Sequence, residues 1–193
     1  MMTEGGGWLR VFRLNIIEDS TRPSQLPLET SYRGIEKNQT FVTQTAMKEL
    51  RRLINFTQLR FHCKKQKPDR TFHIATVKNS LGEAVVQYFS GQTDVLPIGC
   101  GSFYKMNTDD SRLANKCHTW GKDRGKYNVG KWGHEIDSTL RKDQNETRLF
   151  DHAVFVQGQV HWVIDFDNRF ECDDYDREGT TVKRGDFWEI FVR

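Results

Sequence analysis

The chain has 193 residues, 36% of them hydrophobic and 12% aromatic, with a formal net charge of +3. That length and apolar content supply the core of one domain of ordinary to large size, with no need for a second. The small, mixed-sign charge lacks the electrostatic footprint of a nucleic-acid binder, and no apolar run approaches a membrane span, so neither nucleic acid nor membrane insertion is expected.

In chain order, the string Met2-Thr3-Glu4-Gly5-Gly6-Gly7-Trp8 leads into a strand-like run over 9–14. Glycine admits positive φ and close backbone approach, so Trp8 is read as the buried first residue of that strand. Residues 20–29 form a polar, Pro-bearing loop. A helix follows, capped by Thr43 or Thr45, with Met47, Leu50 and Ile54 at helical spacing opposite Lys48, Glu49, Arg51 and Arg52. Runs over 58–63, 71–77 and 83–89 are rich in β-branched and aromatic residues and read as strands, with Asn79-Ser80-Leu81-Gly82 as a turn. The basic stretch Lys64-Lys65-Gln66-Lys67 lies between the first two of these runs. It reads as a solvated turn rather than a phosphate patch, because no aromatic platform accompanies it. Residues 99–133 are irregular and rich in Gly, Asn, Asp and Lys, which marks long loops where function concentrates. Runs over 153–156 and 160–164 flank Gln157-Gly158, a two-residue hairpin turn, and 187–192 is a closing strand. The predicted class is α+β, with a twisted, mainly antiparallel sheet, one clear helix and long irregular loops. Trp8, Phe61, Ile74, Val86, Trp162, Ile164 and Phe191 are expected to be buried together.

Four cysteines with no Cys-x-x-Cys spacing favour paired disulfides over a zinc knuckle. Acceptor sequences for N-glycosylation begin at Asn38, Asn55 and Asn145. Both features point to a secreted or extracellular protein. The N-terminal residues hold neither a basic region nor an apolar signal core, so a secretion signal would lie upstream.

Several motifs imitate chemistry that their details oppose. Gly125 to Lys131 has P-loop spacing, but Trp132 stands where a hydroxyl ligand for magnesium is required. Cys100-Gly101-Ser102 resembles a thiol nucleophile, yet a bridged cysteine has no thiolate to offer. The acidic cluster of Asp165, Asp167, Glu171, Asp173, Asp174 and Asp176 imitates a calcium loop, but Phe170 occupies the position needing glycine. A cation site and a solvated loop remain the two readings of it. The six histidines occur singly, with no His-x-x-x-His pair on a helix to support a catalytic zinc.

Four anchors spread along the chain carry a family resemblance: Gly5-Gly6-Gly7-Trp8, Phe89-Ser90-Gly91-Gln92-Thr93-Asp94, Cys117-His118 and the final strand ending at Arg193. Together they resemble the fibrinogen-related domains, here as a single domain over 1–193 that begins part-way into the family's pattern. The resemblance implies a Cys100–Cys117 disulfide, which leaves Cys63 and Cys172 for each other. The family's calcium loop would fall on Asp94, with Asp109 and Asp110 as substitutes, although adjacent aspartates also suit a solvated turn tip. No cofactor other than calcium is implied. In the family's lectin members a pocket beside the Cys-His pair receives acetyl groups or sugars. Carried over, that role falls on His118, with Trp120, Tyr127 and Trp132 as aromatic walls; the alternative is that these aromatics plug the core beneath a long loop. The implied function is non-enzymatic recognition of carbohydrate or acetylated ligands through the loop face around Cys100 to His134. An adhesion or matrix module contacting cell-surface or matrix glycoproteins is the other reading. Weak sites that gain from multivalency add a homo-oligomer to the expected partners.

Overall fold

The computed structural model describes residues 7–19, 27–35, 40–135, 146–166, 169–175 and 182–193. Asn38, Asn145, Asp167 and Asp176 lie outside the described residues, as do Gly5, Gly6 and the side chain of Asp165. In chain order the strands are β1 (Leu9–Asn15), β2 (Leu28–Glu29), β3 (Phe41–Val42), β4 (Leu59–Lys65), β5 (Arg70–Thr76), β6 (Phe103–Lys105), β7 (Lys122–Asp123), β8 (Lys126–Tyr127), β9 (Val154–Val156), β10 (Val160–Phe166), β11 (Arg169–Asp174) and β12 (Phe187–Val192). The helices are α1 (Gln44–Ile54), α2 (Ser80–Phe89) and the short α3 (Arg112–Asn115). The class is α+β, with several antiparallel sheets.

A five-stranded antiparallel sheet runs β1-β12-β4-β5-β6, and a three-stranded sheet runs β11-β10-β9. Along β4, Leu59, Phe61, Cys63 and Lys65 alternate with Arg60, His62 and Lys64, as a two-residue period requires. Phe61 meets Phe89, Trp132 and Trp162 at ring-centroid distances of 5.5, 5.5 and 5.3 Å, at the centre of the main core.

The residues expected in one core are all buried, but they divide between the two faces of this sheet. Trp8 and Phe191 pack with Ala75 and Met106 on the reverse face, apart from Phe61, Ile74, Val86, Trp162 and Ile164. Phe191 takes the reverse face by the ordinary alternation of β12, and a β-bulge sets Trp8 there beside it: Arg10 pairs with Phe191 but Phe12 pairs with Ile190, so Val11 is the extra residue. The bulge shifts the parity of β1, sending Phe12 and Leu14 to the main core and leaving Trp8 behind. There the Trp8 ring has the guanidinium groups of Arg60 and Arg193 at 5.0 and 4.4 Å.

The helix expected after Thr43 is α1, with the Thr43 hydroxyl accepting from the Ala46 N–H. Its buried face includes Arg51 and omits Ile54, which is 49% exposed. Arg51 is buried because Glu83 (2.5 Å) and Gln92 (2.8 Å) receive its guanidinium. The run 83–89, read from sequence as a strand, belongs to α2. Asn79 acts as helix cap, not turn residue, accepting from the Leu81 and Gly82 N–H groups. Gly82 has to be glycine, since a Cβ there would lie 1.9 Å from the Val77 carbonyl oxygen. The expected hairpin after β9 is present, with a three-residue connection, 157–159, in place of two.

Two disulfides are formed, Cys63–Cys172 and Cys100–Cys117, and none of the four cysteines is free. Cys63–Cys172 joins β4 to β11 and so ties the two sheets. Further ties are Lys65 to Asp174 at 2.6 Å, Arg70 to Asp173, and Trp188 Nε1 to the Glu171 carbonyl at 3.1 Å. The acidic cluster is therefore neither a solvated loop nor a cation site among its described members: Glu171 and Asp173 are fully buried and answered by protein donors.

Truncating Trp8 removes the centre of the reverse-face cluster. Trp8→Ala is expected to lower stability by roughly 3–5 kcal/mol, read as a lower denaturation midpoint at unchanged slope; a midpoint equal to the parent's would remove Trp8 from that role.

His73 on β5 stacks on His62 at 3.8 Å, and burial, with His62 and Arg60 adding to it, pushes its pKa down to about 3. The unfolded chain, with a histidine near the ordinary value of about 6.5, takes up a proton that the folded one refuses. This contribution to stability is full above that value and is lost as pH falls toward 3. Thermal melts at stepped pH should show a shallower decline between neutrality and pH ~4.5, the onset of carboxylate titration, in His73→Gln than in wild type; equal slopes would count against the assignment.

Candidate functional site

The irregular stretch holds its shape through the Cys100–Cys117 bridge and two tryptophans beneath it. Trp120 Nε1 donates to the Leu113 carbonyl (2.8 Å) and Trp132 Nε1 to the Ser102 hydroxyl (2.8 Å). Both rings are 0% exposed. This corrects their expected role as ligand-pocket walls: they fill the core under the loop, and their polar N–H groups are already satisfied. Tyr127 is 44% exposed and His118 is also exposed, so these two of the four expected site residues reach solvent. Gly125 to Lys131 is no phosphate cradle. It begins inside the tight β7–β8 hairpin, whose central residues Arg124 and Gly125 both have positive φ.

The expected calcium carboxylates are not brought together. Asp94 pairs with the buried Arg148 at 2.7 Å. Asp109 accepts from the His73 N–H and the Ser111 hydroxyl, and Asp110 accepts from the Thr71 N–H. Oxygens committed to N–H and O–H donors are poor material for a cation that wants six to eight of them. Of the glycosylation acceptors, Asn55 is described and exposed, in the left-handed conformation that ends α1.

The structure assembles a different cluster where the loop meets β9–β11. Gly133 N–H donates to the Ala153 carbonyl at 2.9 Å, which draws His134 beside Asp151 and His152 at the entry to β9. His152 has φ 50°, uncommon for a residue with a Cβ. Asp151 is buried between the two imidazoles: His134 Nε2 lies 3.3 Å from Oδ2, and His152 Nδ1 lies 2.6 Å from Oδ1. Burial opposes charge on all three groups. For His134 the Asp151 carboxylate prevails and its pKa rises, whereas His152 is held below its ordinary value. The paired imidazoles in turn overcome burial at Asp151 and hold its carboxyl at about 2.

The cluster continues along the sheet. His152 and His161 rings are 5.3 Å apart, and His161 lies 4.8 Å from Tyr175. The fully buried Glu171 accepts from Arg169 Nη2 at 2.7 Å and lies 2.8 Å from His161 Nδ1. Phe155 floors the face between Tyr127 (6.5 Å) and His152 (5.1 Å). His134, His152 and Arg169 keep 22%, 14% and 19% of their side chains exposed over carboxylates that are almost wholly buried. Such a face presents guanidinium and imidazole groups in fixed orientation with aromatic rings beside them, the ring nitrogens of His134 and His152 being engaged by Asp151, the Glu135 carbonyl and Arg169. A separate groove of about 460 Å³, lined by residues such as Arg13, Arg184 and Phe187, contains none of the expected site residues.

Sequence reasoning placed the loop face as far as His134 but missed Asp151 and His152. Asp151 and His152 are neighbours in sequence but His134 lies in a separate stretch, brought to them by the hydrogen bond between Gly133 and Ala153 and by its own pairing with Asp151. Compared with family models, curated proteins and solved structures, the chain matches none.

Proposed function

We propose that this chain is a non-catalytic extracellular recognition module of fibrinogen-like type. It binds carbohydrate or acetylated ligands where the disulfide-bridged loop meets β9–β11. The observation that carries the reading is the partly exposed row of Tyr127, His134, His152 and Arg169 over buried Asp151 and Glu171. The tyrosine face takes the apolar side of a sugar ring, while the partly exposed Arg169 guanidinium takes hydroxyl or acetyl oxygens. His118 is exposed next to the Cys100–Cys117 bridge. Two disulfides and the exposed Asn55 acceptor suit an oxidising compartment. The non-catalytic part of the reading rests on Cys100 being bridged and on both carboxylates being held by basic partners, away from any attacking role. Single sites of this kind are weak, so a homo-oligomer would raise avidity.

A second reading, an adhesion module for glycoprotein surfaces, draws on Val95 and Ile98, exposed by 73% and 56% just ahead of the Cys100 bridge.

Retention on an immobilised N-acetylated sugar separates the two. Wild type should be retained equally with and without added calcium, because Asp94, Asp109 and Asp110 are engaged by protein donors. Tyr127→Ala should weaken retention about three- to tenfold, the worth of one aromatic contact, with the fold intact. No retention of wild type in either buffer, alongside capture of glycoproteins that Val95→Asp abolishes, would replace the sugar reading with the adhesion one.

A further inference from the structure

We propose that His134, Asp151 and His152 form a binding site for a divalent transition-metal ion of the zinc class. The three residues place one ligand atom each within 4.8 Å of one another. Asp151 is 2% exposed, and its Oδ2 receives no hydrogen bond among the described residues while facing His134 Nε2 at 3.3 Å. A carboxylate removed from water needs a positive partner, and the gap between Oδ2 and Nε2 takes either the proton of His134 or a metal ion in its place.

The second nitrogen of His134 decides what that cation meets. Nδ1 lies 2.9 Å from the Glu135 carbonyl, which can only accept, so Nδ1 carries a hydrogen and Nε2 can present a lone pair to an ion beside Asp151. An imidazole backed by a carbonyl through its far nitrogen is the usual support for a metal ligand. Metal bonds of about 2.0–2.2 Å at tetrahedral angles set neighbouring ligand atoms about 3.3–3.5 Å apart, and the His134–Asp151 separation of 3.3 Å falls in that range. His152 is the third group of the cluster; its Nδ1 lies 2.6 Å from Asp151 Oδ1, a hydrogen bond that it has to exchange for the ion, because its Nε2 faces Arg169 Nη1 at 3.4 Å. Without metal a proton occupies the position between His134 and Asp151, and the ion displaces it.

The donor set selects the ion. Two imidazoles and one carboxylate suit zinc and its first-row neighbours, whereas one carboxylate gives calcium two oxygens where it needs six to eight. The partial exposure of both histidines leaves one side of the ion open to water or to a ligand oxygen.

The test is calorimetric titration of chelator-treated protein with Zn²⁺, and with Ca²⁺ in a parallel arm. Wild type should bind one zinc ion per chain, unaffected by calcium. His134→Ala, His152→Ala and Asp151→Asn should each weaken binding by about tenfold or more, while His118→Ala should not. Co²⁺ as a probe should give visible absorption in wild type that His134→Ala abolishes. Near-UV circular dichroism checks each fold; if buried Asp151→Asn fails to fold, the partly exposed His134→Gln carries the test. Absence of zinc binding by wild type, or wild-type affinity in both histidine variants, overturns the proposal. The metal site does not rest on sugar recognition: a chain that takes zinc but no sugar loses only the recognition reading, and one that takes sugar but no zinc loses only the metal site.

Discussion

The strand β11 holds the molecule together, because it presents buried charge to a sheet of which it is not a member. Asp173 is completely buried, answered by Arg70 and by the backbone N–H groups of Arg112 and Leu113. Burial pushes the carboxyl of Asp174 up to about 6, even with the Lys65 ammonium 2.6 Å away. Buried pairs of this kind add little net stability, but removing one partner leaves an uncompensated charge and costs about 3–5 kcal/mol. They therefore act as registration marks, since β11 can sit against β4 and β5 in one alignment only. Cys63–Cys172 makes that alignment covalent across 109 residues of sequence. A loop of that length is worth about 4–5 kcal/mol in the chain-entropy account.

The metal and recognition proposals depend on that alignment. Glu171, whose carbonyl accepts from Trp188 in the five-stranded sheet, turns its carboxylate the other way, to Arg169 and His161. One strand thus fixes the core on one side and the histidine-rich face on the other. Displacing β11 would release Arg169 and His161 together, which places the face under the control of residues that never touch a ligand.

Features set by local chemistry were legible in the sequence, and features set by distant partners were not. Thr43 and the spacing of Met47 and Leu50 announce α1 because cap and apolar stripe lie within a few turns. The run after Asn79 misleads because Val85 and Val86 favour strands in isolation, while a buried position against β5 and an effective cap select helix. The parity of Trp8 was hidden by a bulge, which leaves no mark in residue type. Trp120 and Trp132 were visible as aromatics beside a disulfide loop, but whether such rings face solvent or core depends on packing that the loop's own residues do not encode. The candidate metal ligands come from two separate stretches, so a search for repeated spacing passes over them.

The position of β12 has a consequence for the order of assembly. It lies between β1 and β4 yet follows every other strand of its sheet in the chain. As the polypeptide emerges from N- to C-terminus, β1 has no partner, and β4, β5 and β6 can form only a three-stranded meander whose β4 edge stays open. The sheet cannot close until Phe187–Val192 is made, so the first part of the protein waits through most of its own synthesis with hydrophobic strands unpaired. Long-range pairing of this sort is slow and exposes aggregation-prone edges. A chain built this way gains from an environment rich in folding helpers and disulfide catalysts, and it is poorly suited to rapid, unassisted folding from the ribosome.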